Sequence, residues 1–313
     1  IIEVDYTKLD FDTLQKTIEE INSEGGETDQ SILSASKEIS IDDFKKDLQT
    51  IKNKKPNFVP HMVIIKINND KASEKYVGIK VKKCEELGIK VSVIGENINS
   101  QSELIKKIKE LNNDDSVNGY IIQLPLPKSF DKNEIFENIN IYKDIDGLSS
   151  LAISRNITNS AEFYPKACTA NGIIQIMKQS NFKIEGKNAV IINRSMIVGK
   201  PLIGLLLNEN ATVTVCHSKT ENLKDITSNA DIIICAVGIP NFITKDMVNQ
   251  KTFVIDAGIS VVNNKVVGDV DFNEVAKVVK YITPVPNGVG KLTVAMIFKN
   301  LMDLIKEQLH ERI

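Results

Sequence analysis

Short runs of β-branched residues alternate with stretches of helical spacing from Ile41 almost to the C-terminus, and this alternation constrains the fold more than any other feature. Ile41, Phe44, Leu48 and Ile51 recur at helical spacing. His61–Ile67 reads as a strand and Lys71–Leu87 as a helix closed by Gly88. Lys90–Ile94 follows as a strand, Ser102–Leu111 as a helix, Gly119–Leu124 as a strand and Asn133–Asn138 as a short helix. The second half repeats the rhythm, with helices at Thr169–Lys178 and Gly199–Asn208. Its strands fall at Asn188–Ile192, Thr212–Cys216, Asp231–Ala236, Thr252–Asp256 and Val278–Ile282, and a long helix closes the chain at Leu292–Leu309. Such alternation needs mostly parallel sheets covered by helices. A chain of 313 residues accommodates about two domains, so the expectation is two α/β domains; one large α/β domain is the alternative. Residues 1–31 are acidic and polar and read as a helical extension followed by a loose linker.

Composition narrows the partners. Lys+Arg 39 against Asp+Glu 41 gives a net charge of −2, so no basic excess draws the chain to nucleic acid or an anionic membrane. Aromatics are 5% with no Trp, a poor supply of stacking platforms for bases. The four cysteines, Cys84, Cys168, Cys216 and Cys235, form no C-x-x-C pair, and the histidines are His61, His217 and His310. That scatter predicts no metal site and buried, reduced thiols of an intracellular protein. Apolar runs such as Ile232–Val237 are too short to span a bilayer. No signal-peptide pattern opens the chain, and its first residue is Ile, as in a processed product. The expected compartment is the cytoplasm, or the mitochondrion if a presequence has been removed.

In the second half, Val190–Pro201 reads as a strand, a polar turn and a helix opening at Gly199-Lys-Pro201. A helix N-terminus at a strand end favours an anion, since its free N–H groups and dipole face it. The usual G-x-G-x-x-G is absent, and a plain structural loop fits this turn as well. The strand Ala211–Cys216 then ends in His217, Ser218 and Lys219, with no acidic residue to hold a ribose hydroxyl. Arg194, Ser218 and Lys219 suit a 2′-phosphate instead. His217 is either a surface polar residue or a cofactor contact, without a catalytic role. Cys235-Ala-Val-Gly-Ile-Pro240 and Ile255-Asp-Ala-Gly-Ile-Ser260 are further strand ends running into Gly, and several such ends together favour a dinucleotide cleft.

In the first half, Tyr76 and Lys80 share a helix face. A solvated Lys is the ordinary case; a lysine in a partly buried cleft can serve as acid or base. Gly119–Pro127 is an apolar strand stopping at Gln123 and two prolines, and a Gln there calls for a partner. Lys143-Asp-Ile-Asp-Gly147 lacks the distal Glu and flanking helices of a calcium loop. Thr283–Thr293 is a Pro/Gly loop leading into the last helix, the kind that lines sites on rigid scaffolds.

Taken in order, these segments resemble the methylenetetrahydrofolate dehydrogenase/cyclohydrolase family from about Ile32 to the end. The likeness rests on Tyr76-Val-x-x-Lys80, Gln123-Leu-Pro-Leu-Pro127, Lys143-Asp-Ile-Asp-Gly147, Arg194-Ser-x-Ile-Val-Gly-x-Pro201, Ala211–Thr220 and Pro284-Val-Pro-x-Gly-Val-Gly290. It implies two α/β domains flanking a cleft, the C-terminal one a Rossmann-type dinucleotide-binding domain, with the last helix packing back on the first. The corresponding boundaries are an extension over 1–31, a folate-binding catalytic domain over 32–167 completed by 293–313, and an NADP-binding domain over 168–292. The activity implied is NADP-dependent oxidation of 5,10-methylenetetrahydrofolate to the methenyl form and hydrolysis of that to 10-formyltetrahydrofolate, by a homodimer.

By position, the resemblance makes Lys80 the catalytic lysine, oriented by Gln123, with Tyr76 stacking on the folate and Asp146 accepting hydrogen bonds from the pterin. Leu124, Pro125, Pro286, Gly288 and Val289 complete the folate contacts. Asn193, Arg194, Ser195, Val198, Gly199, His217, Ser218, Val237, Gly238, Ile259 and Thr293 fall at dinucleotide contacts. The chain departs from the family pattern at Asn68–Lys71, Asn193, Ala167, Ala170, Asn287 and Lys291-Leu292. Asn193 and Asn287 stand where the family has Gly, and Asn tolerates left-handed backbone angles. The competing readings are a dehydrogenase that has lost the hydrolytic step, a shikimate-type dehydrogenase and a non-catalytic folate or nucleotide sensor. Lys80 and Gln123 speak against the first and the last, and Gln123–Pro127 against the second.

Overall fold

The structure, a computed structural model, describes residues 31–32, 41–68, 71–262 and 265–309; the extension expected over 1–31 lies outside these except for Ser31. Two compact units are present. The first comprises Lys37–Ile174, Met196–Asn208 and Leu292–Ile313. The second comprises Gln175–Ser195 and Glu209–Lys291 with the N-terminal residues to Ser36.

In the first unit, strands β2 (His61–Ile65), β3 (Lys90–Ile94) and β4 (Gly119–Ile122) form a parallel sheet in the order β3-β2-β4. Helix α1 spans Ile41–Lys54, α2 Lys71–Glu86, α3 Gln101–Asn112, α4 Lys132–Glu137 and α5 Ser150–Ile157. The central strand β2 is buried throughout, as its apolar run requires. Helix α2 ends at Gly88, whose φ of 67° is the left-handed stop that Gly provides without strain. Helix α3 begins with a reciprocal cap between Ser100 and Glu103. The chain closes with α10 (Val289–Gln308), the last helix in our numbering. Its Met296, Phe298, Leu301 and Ile305 join Phe44, Leu48, Met62, Ile64 and Cys84 in one core. Phe298 meets Phe44 edge-on at 6.1 Å, and Lys306 pairs with Asp47 at 2.6 Å. The last helix thus packs back on the first unit, as expected.

The second unit holds a parallel six-stranded sheet of β1 (Ser31–Ile32), β5 (Asn188–Ile192), β6 (Thr212–Cys216), β7 (Ile232–Cys235), β8 (Phe253–Asp256) and β11 (Tyr281–Ile282), in the order β6-β5-β7-β8-β11-β1. A hairpin of β9 (Ser260–Val262) and β10 (Lys265–Val267) stands apart. The two sheets share one topological device. In each, one central strand has its successor on one side (β2 to β3, β5 to β6) and the strand after that on the other (β4, β7). The turns after β2 and β4, and after β5 and β7, therefore part at the C-terminal sheet edge, where ligands of open α/β sheets bind.

Helices α6 (Cys168–Gln179) and α7 (Gly199–Asn208) complete the expected rhythm. Compactness groups α7 with the first unit, where the Asn156 amide donates to the Pro201 carbonyl and that of Asn208 to the Asn156 carbonyl. Several elements were not expected: α5, α8 (Leu223–Thr227), the β9–β10 hairpin and α9 (Phe272–Val275). The expected strand Val278–Ile282 shrinks to β11, because the amides of Val278 and Val279 bond back to the Val275 carbonyl after α9. All four cysteines are buried free thiols. Among the described residues no helix is long and apolar enough to cross a membrane.

Candidate active site

Lys80 lies on α2 at 9% exposure, and its Nζ donates to Gln123 Oε1 at 3.0 Å. Gln123 is placed by β4: its backbone N–H still bonds the β2 neighbour Ile65, so the ladder fixes where its side chain starts. Its Nε2 donates to the Leu124 carbonyl at 2.9 Å, leaving Oε1 for the ammonium. The turn beyond is tied to the loop after β2, with Ser73 Oγ donating to the Leu124 carbonyl and Asn68 Nδ2 to that of Pro125. The Leu124–Pro125 bond is cis. Tyr76, one helical turn before Lys80, is 38% exposed and free to present its ring.

Asp146 sits in a loop with more internal support than the sequence suggested. Burial pushes its pKa up, and the Lys80 charge draws it back. Asp144, two residues earlier, is the loop's anchor: its carboxylate accepts from the amides of Gly147 (2.9 Å) and Ser149 (2.7 Å). Burial raises the Asp144 pKa to about 6 against those bonds. Gly147 has φ 68°, and a Cβ there would fall 2.5 Å from the Lys166 carbonyl carbon, so no side chain fits. Asn300 of α10 donates to the carbonyls of Ile145 and Lys166, both at 2.8 Å, and clamps the loop from below. Lys80, Gln123 and Asp146 thus come together in the first unit, while Asp144 and Asn300 escaped the sequence reading. The Asp144-Ile-Asp146 repeat was a usable signal for the first; Asn300, 154 residues beyond Asp146, offered none.

In the second unit, Asn193 follows β5 and reaches the β7 turn. Its Nδ2 donates to the Ala236 carbonyl, and its Oδ1 accepts the Ser195 amide at 2.7 Å. Its φ is not positive, so the expected left-handed replacement of Gly is corrected: Asn193 serves as a bridge. Asn287 does have φ 79°, next to the cis Val285–Pro286 bond. Gly288 follows where a Cβ would lie 2.3 Å from the Pro284 carbonyl oxygen. Arg194 and Ser218 are exposed, on the turns after β5 and β6. His217 keeps its own turn closed: its amide donates to Thr220 Oγ1 and its Nδ1 accepts the Lys219 amide. Val237 is half-buried, Gly238 and Ile259 are exposed, and Gly238 has φ 73° with open space where a Cβ would project. Val198, Gly199 and Thr293 fall instead in the first unit, Val198 and Gly199 buried at the start of α7 and Thr293 Oγ1 3.3 Å from Thr169 Oγ1.

An exposed guanidinium and hydroxyl, no carboxylate at the β6 end and an open glycine at the switch point together fit a phosphorylated dinucleotide. The fold and these two sets of residues define a two-domain α/β dehydrogenase with a separate, lysine-bearing catalytic unit. The family described as "Tetrahydrofolate dehydrogenase/cyclohydrolase, catalytic domain" matches residues 33–146, and "Tetrahydrofolate dehydrogenase/cyclohydrolase, NAD(P)-binding domain" matches residues 167–309. A relative from Malacoplasma penetrans (strain HF-2), "Bifunctional protein FolD", is 67% identical over 273 residues, 87% of this chain and 96% of that protein. The Campylobacter jejuni "Bifunctional Enzyme FolD-Methylenetetrahydrofolate Dehydrogenase/Cyclohydrolase" structure superposes with TM-score 0.80 at 41% identity, covering 85% of this chain and 94% of that one. A Trypanosoma brucei methylenetetrahydrofolate dehydrogenase-cyclohydrolase, "complexed with NADP cofactor and inhibitor", gives TM-score 0.80 at 30% identity over 86% and 94%. The chain belongs to the tetrahydrofolate dehydrogenase/cyclohydrolase family. It is a bifunctional enzyme that oxidises 5,10-methylenetetrahydrofolate and hydrolyses the methenyl product to 10-formyltetrahydrofolate.

Proposed function

We propose that Lys80 carries the hydrolytic step and that NADP is the dinucleotide used. The buried 3.0 Å bond between Lys80 and Gln123 supports this most strongly, because it fixes one amine in a site that also holds Asp146. Tyr76 offers its ring to the folate, and Asp146 accepts hydrogen bonds from the pterin. Leu124, Pro125 and the loop residues Pro286, Gly288 and Val289 complete the folate contacts. In hydrolysis, water adds to the cationic methenyl carbon and gives up a proton, and the bond from that carbon to N5 breaks as N5 takes up a proton, leaving the formyl group on N10. Lys80 relays the proton while Gln123 holds the amine in line. When bound, NADP supplies the acceptor for the hydride that leaves the methylene carbon. No proton moves with that hydride, so this chain's residues contribute alignment there rather than acid or base.

Arg194 and Ser218 hold the 2′-phosphate in this reading, and Asn193, Ser195, Val198, Gly199, His217, Val237, Gly238, Ile259 and Thr293 serve the rest of the dinucleotide. The folate-binding catalytic domain is 32–167 with 293–313 and the NADP-binding domain 168–292, with the loop of Pro286, Gly288 and Val289 lending folate contacts from the latter and Thr293 a dinucleotide contact from the former. The enzyme acts as a cytoplasmic homodimer on tetrahydrofolate one-carbon derivatives. Absorbance of the methenyl product, followed with NADP and with NAD, tests the cofactor assignment. Higher catalytic efficiency with NADP is expected; equal or better efficiency with NAD overturns it.

A further inference from the structure

Asp269 lies between β10 and α9, ten residues beyond Ile259 and in none of the motifs singled out in the sequence, and is fully buried. Its Oδ2 accepts the amides of Val237 (2.5 Å) and Gly238 (3.0 Å) in the turn after β7, and the Cys235 thiol lies 3.8 Å away. Its Oδ1 is buried with no hydrogen-bond partner. A carboxylate in such a place is costly. The two amides do not demand it: Gly238 is exposed and Val237 half-buried, so water could serve them. What water could not do is hold both amides turned inward at once.

The surrounding chain is shaped around this carboxylate. Asp256, at the end of β8, accepts the backbone amides of Asp269 (3.0 Å) and Val270 (2.9 Å) as well as that of Gly258 (2.9 Å), and so fixes where Asp269 begins. A Cβ on Gly258 would fall 2.1 Å from Asp269 Cγ, and one on Gly268 would fall 2.0 Å from Asp256 Oδ2. Both positions are glycine because the two carboxylates occupy the space. On its other side the same turn is gripped by its carbonyls: Asn193 donates to Ala236, and Ser260 Oγ to Gly238 at 3.2 Å. The turn is therefore held from three directions at the topological switch point of the sheet.

We infer that Asp269 is a positioning residue for dinucleotide binding: through the Val237 and Gly238 amides it sets the β7 turn against which the cofactor lies. The inference rests on the reading of Val237 and Gly238 as dinucleotide contacts. It makes Asp269 specific to one of the two activities, since methenyl hydrolysis is assigned to residues of the other unit.

The test uses the whole enzyme and measures KM for NADP and kcat in the oxidation, with methenyl hydrolysis in the absence of dinucleotide as internal reference. Asp269→Ala is expected to raise KM for NADP at least tenfold, to change kcat less than threefold and to leave hydrolysis within twofold. Asp269→Asn, which keeps a carbonyl oxygen for the amides, is expected to bring KM back to within threefold of the parent. Gly258→Ala, which displaces the carboxylate without deleting it, is expected to raise KM as Asp269→Ala does, and carries the test if that variant does not fold. An unchanged KM in both, or a parallel fall of both activities, overturns the proposal. Gly238→Val, strained at φ 73°, separates the two levels. If it raises KM while Asp269→Ala and Gly258→Ala do not, only the role of Asp269 fails. If it too leaves KM unchanged, the turn is not a dinucleotide contact and the proposal falls with that reading.

Discussion

The two units place their functional residues at the same kind of point, yet they build them differently. In the first, side chains do the work: Lys80 projects from a helix, Gln123 from a strand end, and they bond each other at 3.0 Å. In the second, the surface proposed to meet the dinucleotide is mostly backbone, and side chains behind it, Asn193, Asp256 and Asp269, hold that backbone in place. The contrast follows from the chemistry. Hydrolysis moves protons and needs a titratable group, whereas hydride transfer needs two rings held in register. In the proposed assignment a side chain delivers the first, and a braced turn delivers the second.

The largest expected effect breaks the first region alone. Lys80→Met keeps the apolar stem and deletes the amine, and should slow methenyl hydrolysis by roughly 10²–10⁴-fold. Gln123→Ala should act in the same direction more weakly, by misorienting Lys80; a stopped-flow assay of methenyl decay reads both. In the second region, Arg194→Ala removes the proposed charge-assisted contact, worth about 1.5–3 kcal/mol, so preference for NADP over NAD should fall roughly 10–150-fold. An unchanged ratio of efficiencies would remove Arg194 from the phosphate site.

These regions were unequally legible in the sequence. Gln123 stood out as a polar residue ending an apolar strand and Lys80 as a lysine sharing a helix face with Tyr76, whereas Asp146 was singled out only through the family resemblance. The strand rhythm also came through, since burial of whole strands such as β2 and β7 forces unbroken apolar runs. The bracing residues did not. Asp269 and Asn300 act over long sequence separations, and nothing near either of them shows what they hold. Asn193 was misread for a related reason: its left-handed tolerance was visible, but its partner Ala236 is 43 residues away. Helix α5, Ser-Leu-Ala-Ile-Ser-Arg-Asn-Ile, was missed because its apolar residues do not mark its buried face: Ala152 and Asn156 are buried while Leu151 and Ile157 are exposed; its one clear signal was the Ser149 cap on the Ala152 amide.

Smaller effects sharpen the comparison through stability. Asn300→Ala removes a donor from the buried Ile145 carbonyl and from the part-buried Lys166 carbonyl and should cost about 1–3 kcal/mol in denaturant unfolding, with weaker folate binding as the Asp146 loop loosens. Unchanged folate binding would confine Asn300 to the core. The smallest effect is in pH. Asp144 and Asp256 both have pKa values raised by burial to about 6, above the value of an unfolded chain. The folded state therefore binds protons more tightly, and their contribution to stability grows as pH falls through about 6 and is lost as pH rises through it. Unfolding midpoints at about pH 7 and pH 5 should show this gain, and Asp256→Asn should diminish it. An identical pH slope in that variant would deny Asp256 its part.

The division of labour is tested most directly by the ratio of the two activities in Lys80→Met and Arg194→Ala, prepared beside the parent enzyme. Methenyl hydrolysis is measured without dinucleotide, and methylene oxidation with limiting NADP. The ratio of hydrolysis to oxidation should collapse in Lys80→Met and rise in Arg194→Ala, the two variants moving in opposite directions. If both activities fell together in Lys80→Met and the ratio stayed at the parent value, the amine would serve both steps, and the assignment of hydrolysis to a side chain and oxidation to alignment would be wrong.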